Sequence, residues 1–160
     1  MQLKKPYVDI NDTLRHMKIQ IMDGVPYADA TTPEIKTPRE LWDFLKPKLK
    51  YKNDPKNVEL LQSYETLMRN NYWGTPGAGD CDCFTIATQT VAIVCGFQNT
   101  NILLCGRSRQ APVHIYSVIY FAGRRCVLDF TQPSFDSERY YPLTQEIPVK
   151  WQKWPLIKNH

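Results

Sequence analysis

The chain has 160 residues, of which 42% are hydrophobic and 22% charged, and these figures fit one globular domain rather than a disordered chain. Its 20 Lys and Arg residues exceed its 16 Asp and Glu residues by four, which falls short of the clustered basic face of a nucleic-acid binder. Five cysteines, an odd number, indicate free thiols and a reducing compartment.

No stretch of the sequence predicts a membrane span or a secretory leader. The longest unbroken apolar run is residues 91–95, whereas a transmembrane helix needs ~20 apolar residues. The N-terminal sequence MQLKKPYVDI lacks the apolar centre of a signal peptide. We therefore expect a protein that is neither membrane-bound nor exported through a signal peptide.

The first part of the chain predicts two helices. Apolar residues recur at helical spacing over residues 10–21, and Gly24 follows as the expected end of the first helix. Thr37, Pro38 and Glu40 form the pattern of a capping box with proline at the first helical position, which predicts a second helix that ends before Pro47.

The middle of the chain predicts a glycine-rich loop followed by a buried helix. Glycine and proline are concentrated at residues 74–79, and Asp80 is the natural N-cap of the helix that follows. One apolar stripe continues to Cys95, and Gly96 is expected to end the helix.

The last part of the chain predicts strands. Residues 101–105, 114–121 and 125–130 have strand character, with a turn at Ala122 and Gly123 between the last two. Residues 132–160 are rich in proline, tyrosine and tryptophan and have no clear period. We expect them to form an extended arm over the domain or over a partner, and we favour the partner.

A cysteine in the first turn of a helix is the first candidate functional residue. Cys81 follows Asp80, and the helix dipole and unpaired backbone N–H groups there favour a thiolate, which predicts a lowered thiol pKa. The N–H of Cys81 is also placed to bind an oxyanion. The local pattern is equally consistent with Cys81 being an unreactive, small residue at the start of a helix.

A nucleophilic thiolate needs a base, and the chain has three histidines: His16, His114 and His160. His16 falls mid-helix and His160 is the last residue, so His114 at the start of a strand is the candidate. A two-residue turn at 122–123 places His114 and Asp129 diagonally on one face of the hairpin, where a carboxylate orients an imidazole. Asp129 has an alternative role, bonding its own turn at the strand end.

Three stretches of sequence resemble the transglutaminase-like superfamily: GAGDCDCF at 77–84, HIYSVIYFAGRRCVLDFTQP at 114–133, and the region 37–67, which is similar to small bacterial and phage members. The resemblance implies a papain-like core in which Cys81, His114 and Asp129 form a catalytic triad. It departs from the family pattern at Cys83, where small members often have Asp, and at Ile115, where a bulky aromatic is common.

Two further questions concern the residues around the thiol. Cys83 is a second thiol on the same helix, but residues two apart point ~200° apart, so only one of the two faces the His114 strand. The resemblance favours Cys81. Papain-like enzymes also use an upstream side chain to bind the oxyanion, and the sequence does not rank the candidates Gln62, Asn71, Tyr72 and Trp73.

Zinc is the rival chemistry for the cysteines. Structural zinc usually uses C-x2-C pairs, and the C-x-C of residues 81–83 with three scattered thiols supplies none. We therefore expect no metal and no cofactor.

The sequence thus predicts an α+β fold with N-terminal helices, a buried central helix that carries the cysteine, and an antiparallel sheet. The expected organisation is a helix and connection at 1–36, a transglutaminase-like core at 37–133 and an arm at 134–160. The expected activity is acyl transfer at an amide bond of a protein or peptide, by hydrolysis rather than cross-linking. The alternative is a non-catalytic assembly module, such as a phage virion protein, that binds a protein partner through the arm. We expect a cytoplasmic or virion-associated location, and neither nucleic acid nor membrane as a partner.

Overall fold

The computed structural model describes residues 2–5, 9–106 and 112–149. Helices and strands are both present over these residues, so the fold is α+β, as predicted. The elements follow in the order β1 Gln2–Lys5, α1 Ile10–Thr31, α2 Pro38–Leu45, β2 Lys50–Tyr51, β3 Glu59–Gln62, α3 Tyr64–Arg69, β4 Ala78–Gly79, α4 Cys81–Cys95, β5 Thr100–Gly106, β6 Pro112–Phe121, β7 Arg124–Leu128 and β8 Leu143–Val149.

The first helix is longer than its sequence predicts. It begins at Ile10 as expected, but the prediction that Gly24 ends it is wrong, because α1 continues through Pro26 to Thr31. Gly24 has a different purpose: a Cβ at this position would lie 2.9 Å from the backbone nitrogen of Tyr64. The glycine therefore permits the close approach of α1 to α3.

The second helix has the predicted limits. The Thr37 hydroxyl accepts a hydrogen bond from the Glu40 N–H at 3.2 Å, and Pro38 occupies the first helical position. The Glu40 carboxylate accepts from the Lys36 N–H at 3.1 Å, one residue earlier than in a complete capping box. A single 3-10 turn, Lys46–Lys48, follows the helix.

The main sheet has four antiparallel strands in the order β7-β6-β5-β8. The β6–β7 hairpin pairs Phe121 with Arg124, which confirms the two-residue turn. Ala122 and Gly123 both have positive φ, at 51° and 75°, as the twist of a tight hairpin requires. Two smaller pairs, β1 with β3 and β2 with β4, were not predicted from the sequence.

The edge strand β8 corrects the prediction of an arm without secondary structure. Residues Leu143–Val149 pair with β5 along its whole length, from Gly106 opposite Leu143 to Thr100 opposite Val149. Most of this strand is exposed on both faces, so its sequence carries no alternation of apolar and polar residues. Trp151, Trp154 and His160 lie outside the described residues.

Helix α4 is the centre of the packing. It is buried without interruption from Cys83 to Ile93, as predicted, and it contacts α1, α2, α3 and β6. Its buried polar side chains donate hydrogen bonds within the fold: the Thr88 hydroxyl donates to the Phe84 carbonyl at 2.7 Å, and the Gln89 amide nitrogen donates to the Ser117 hydroxyl at 3.1 Å. None of the helices in the described part of the chain has the length and apolar character needed to cross a bilayer.

We expect β8 to contribute to stability through its buried end rather than its exposed start. Val149 is 4% exposed and packs with Ile102 and Leu104, whereas Leu143 is 39% exposed. Val149→Ala should lower the free energy of unfolding by about 2 kcal/mol, and the matched variant Leu143→Ala should change it by less than about 0.5 kcal/mol. Equal effects in chemical denaturation would contradict the packing of β8.

Candidate active site

The start of α4 is fixed from both sides. The Asp80 carboxylate accepts hydrogen bonds from the N–H groups of Asp82 and Cys83, at 3.1 and 3.4 Å, and so caps the helix as predicted. Before it, the glycine-rich loop pairs with β2, and Gly77 passes so close to Lys48 that a Cβ would lie 1.7 Å from the lysine carbonyl oxygen. These contacts place Cys81 at the first helical position, where its N–H has no acceptor within the helix.

The two thiols of the first turn face different elements. The Cys81 thiol lies 3.9 Å from Asp82 Oδ1 and packs against the apolar cluster that includes Ile115, the residue after His114 on β6. Cys83 is fully buried, and its sulfur lies 3.4 Å from the Leu60 carbonyl and 3.6 Å from Gln62 Nε2, both on β3. The expectation that only one thiol faces the His114 strand is therefore met, and that thiol is Cys81.

His114 and Asp129 form a direct pair. His114 Nε2 donates to Asp129 Oδ2 at 2.7 Å, and the two side chains are 10% and 2% exposed. The other oxygen of Asp129 accepts from the Thr131 N–H at 3.1 Å and from the Thr131 hydroxyl at 2.7 Å. Both sequence interpretations of Asp129 hold together, since it bonds its own turn with one oxygen and orients the imidazole with the other.

A cleft of about 450 Å³ opens beside His114, and neither Asp129 nor Cys81 is among the residues that line it. Its walls come from the end of α2, from β2, from the start of α4 and from the connection between β7 and β8. The ring of Tyr141 lies 5.9 Å from that of His114. The residues that line the cleft are Lys46, Leu49, Tyr51, Phe84, His114, Phe130, Thr131, Gln132, Arg139 and Tyr141.

The protonation of Cys81 differs from the sequence prediction. Burial raises the pKa of the Cys81 thiol well above its usual value, and the carboxylates of Asp82 and Asp80 raise it further. A hydrogen bond of the Ile115 backbone acts in the opposite direction. The predicted lowering of this pKa is wrong, because partial burial and the two nearby acids disfavour the thiolate.

Three carboxylates lie together at the start of α4. Oxygen atoms of Asp54, Asp80 and Asp82 lie within 4.8 Å of one another. Among the described residues, this group of carboxylates, rather than a group of thiols, is compact enough to hold a cation. Burial raises the pKa of all three, that of Asp82 to about 7. Two of these acids also accept backbone hydrogen bonds: Asp54 from the Leu60 N–H at 2.8 Å and Asp80 from the Asp82 N–H at 3.1 Å.

The four candidates for binding the oxyanion differ in whether their side-chain hydrogen-bond donors are already used. The amide nitrogens of Gln62 and Asn71 both donate to the Ala78 carbonyl, at 3.2 and 2.7 Å. The Tyr72 side chain is exposed. The indole N–H of Trp73 is buried and has no acceptor among the residues that the structure describes. Trp73 is therefore the candidate whose side chain retains a buried donor without an acceptor.

Sequence reasoning missed several residues of the site. Thr131 was detectable, since a threonine two residues after an aspartate is a common turn partner. Tyr141 and Arg139 were not, because their position depends on the path of the chain from β7 to β8. His16 lies away from the site on α1, with its Nε2 3.4 Å from Asp12.

Comparisons with known proteins yield no relative. No family model and no curated protein matches the sequence, and no solved structure matches the fold. The likeness to the transglutaminase-like superfamily consequently stays a prediction that depends on the residues alone.

We expect Asp82→Asn to make Cys81 more reactive. Removing the charge should lower the pKa of the Cys81 thiol by about one unit and speed its reaction with iodoacetamide about tenfold in alkaline solution. The difference should vanish below pH 7, where Asp82 is itself protonated in the unsubstituted protein. The measurement is mass-spectrometric labelling of the peptide that contains Cys81 as a function of pH.

The control for this variant is Asp43→Asn, which removes an exposed carboxylate of α2 that pairs with Arg39. It should leave the labelling profile of Cys81 unchanged. Equal rates for Asp82→Asn and the unsubstituted protein in alkaline solution would show that Asp82 does not act on the thiol.

Proposed function

We propose that this protein is a thiol-dependent acyl-transfer enzyme, a cysteine peptidase or amidase with a papain-like, transglutaminase-like core and the triad Cys81, His114 and Asp129. The observation that carries the proposal is the buried 2.7 Å bond between His114 Nε2 and Asp129 Oδ2 beside an open cleft. Ile115, the next residue on the strand that carries this histidine, belongs to the apolar cluster against which Cys81 packs.

The pairing of His114 assigns a role to each ring nitrogen. Since Nε2 donates to Asp129, the neutral ring has Nδ1 as its acceptor, and Nδ1 takes the thiol proton. Asp129 stabilises the imidazolium that forms and keeps the ring in this tautomer. Because burial and two acids favour the neutral thiol, proton transfer to His114 accompanies attack on the substrate rather than preceding it.

The covalent step then follows from the position of Cys81. Its sulfur bonds to the carbonyl carbon of the substrate amide, and the backbone N–H of Cys81 stabilises the negative charge on the carbonyl oxygen. The C–N bond breaks as His114 returns its proton to the departing amine. The thioester that remains is released by water in a peptidase, or by a second amine in a transglutaminase.

A second candidate function is a non-catalytic assembly module. The observation that favours it is the raised pKa of Cys81, which an inert buried thiol shares. Tyr140, 85% exposed beside the cleft, would then be a contact for a partner. In this alternative Cys81 is no more reactive than Cys95, a partly exposed thiol at the end of α4.

We expect the triad to be required for turnover. A mixture of tryptic peptides, analysed by mass spectrometry, should show new cleavage or amide hydrolysis with the unsubstituted protein and none with Cys81→Ala. Asp129→Asn should reduce the rate ~10³- to 10⁴-fold without unfolding the protein, because the amide no longer selects the tautomer of His114. A fluorescent primary amine added to the mixture separates transamidation from hydrolysis.

Cys126→Ala provides the matched control, since this buried thiol lies on β7 and outside the cleft. It should retain activity. Turnover that survives Cys81→Ala, or labelling by iodoacetamide that favours Cys95 over Cys81, would favour the assembly module.

A further inference from the structure

The cleft has an unbalanced charge. Two of its lining residues, Lys46 and Arg139, are cationic, and no Asp or Glu is among the lining residues. The acid behind His114, Asp129, uses both of its oxygens on His114 and Thr131, and its charge acts on Lys46. The lining therefore carries two cations against one carboxylate behind it, which leaves an excess of positive charge beside the cleft.

Arg139 is unlike the arginines of the neighbouring hairpin. Arg124 pairs with Asp136 at 3.0 Å, and Arg125 binds both oxygens of Glu138, at 2.7 and 2.9 Å. Arg139 follows Glu138 directly, yet its guanidinium forms no hydrogen bond or ion pair with any residue in the described ranges. Its five donors are thus available on the cleft side of the connection.

Lys46 supports the same charge from the opposite wall. Its ammonium group donates to the carbonyls of Phe130 and Gln132, at 2.9 and 2.8 Å, which fixes its position and leaves its third N–H unused. Aromatic rings of Tyr51, Phe84 and Tyr141 line the space between the two walls. The planar guanidinium of Arg139 on one side of the cleft and the fixed ammonium of Lys46 on the other can both donate hydrogen bonds to a carboxylate.

We propose that the cleft selects a peptide substrate that carries a carboxylate near the bond to be cleaved, with Arg139 as the specificity-determining residue that binds it and Lys46 as the supporting charge. This proposal depends on the proposed function for the identity of the cleft as a substrate site. The carboxylate comes either from an acidic side chain or from the end of a peptide.

The experiment measures binding without turnover. Three pentapeptides are titrated by NMR into the Cys81→Ala protein: AAEAA and AAQAA with acetylated and amidated ends, and AAQAA with a free C-terminus. We expect at least one carboxylate peptide to bind about tenfold more tightly than blocked AAQAA, a factor within the range of one charged hydrogen bond. The peptide with the gain identifies the source of the carboxylate.

Variants of Arg139 then test whether this residue causes the preference for a carboxylate. Arg139→Gln should abolish the preference, and Arg139→Lys should retain part of it. The control Arg69→Gln removes the same charge from α3, where Arg69 pairs with Glu65, and should leave the preference unchanged. Equal binding of all three peptides, absence of binding, or a preference that survives Arg139→Gln would each overturn the proposal.

A second readout separates this proposal from the proposed function. In the protein with Cys81 intact, the preferred peptide should shift the NMR signals of His114, which lines the cleft, and slow the reaction of Cys81 with iodoacetamide. Peptide preference without any special reactivity of Cys81 would refute the enzyme and retain the anion-binding cleft. A reactive Cys81 with no preference among peptides would support the enzyme and refute the anion-binding cleft.

Discussion

The burial of α4 is the constraint on which the rest of the structure depends. The helix contacts three other helices and four strands, so its position relative to the sheet is set by packing on several sides. Its first residue, Cys81, is thereby held against β6, and β6 in turn carries His114. The distance between a thiol and a base from separate parts of the chain is set by the packing of one helix rather than by any bond between them.

The same burial sets the electrostatics of the site. Partial burial and the carboxylates of Asp82 and Asp80 raise the pKa of the thiol at the start of this helix. The acids are not accidental neighbours: Asp80 caps the helix and Asp54 accepts from the Leu60 N–H at 2.8 Å. Two structural needs, capping α4 and ending the loop before β3, bring negative charge to the place where a thiolate would form.

The sequence predicted the parts of this molecule that are governed by local rules. The cap at Thr37, the start of α4 at Asp80 and the two-residue turn after Phe121 each depend on a few adjacent residues, and all three are present. The diagonal contact of His114 with Asp129 was predicted by counting residue pairs back along the hairpin from that turn. All three residues of the candidate triad could be predicted in this way, because Cys81 lies at a helix start and His114 and Asp129 belong to one hairpin.

The parts that depend on distant contacts were not predictable in the same way. Gly24 has the appearance of a helix end, and only the proximity of Tyr64 explains it. Strand β8 has no apolar alternation because it is exposed at the sheet edge, and its pairing is through the backbone of β5. The pKa of Cys81 depends on acids and burial that only the assembled fold brings together.

The connection between β7 and β8 divides its work between neighbouring residues. Asp136 and Glu138 fasten it to the hairpin through Arg124 and Arg125, while Arg139 and Tyr141 line the cleft. Anchoring the segment and lining the cleft thus belong to different side chains of one short segment. The residues that line the cleft can therefore be exchanged while the anchoring ion pairs stay in place, so the chemistry of the cleft can change without a change of fold.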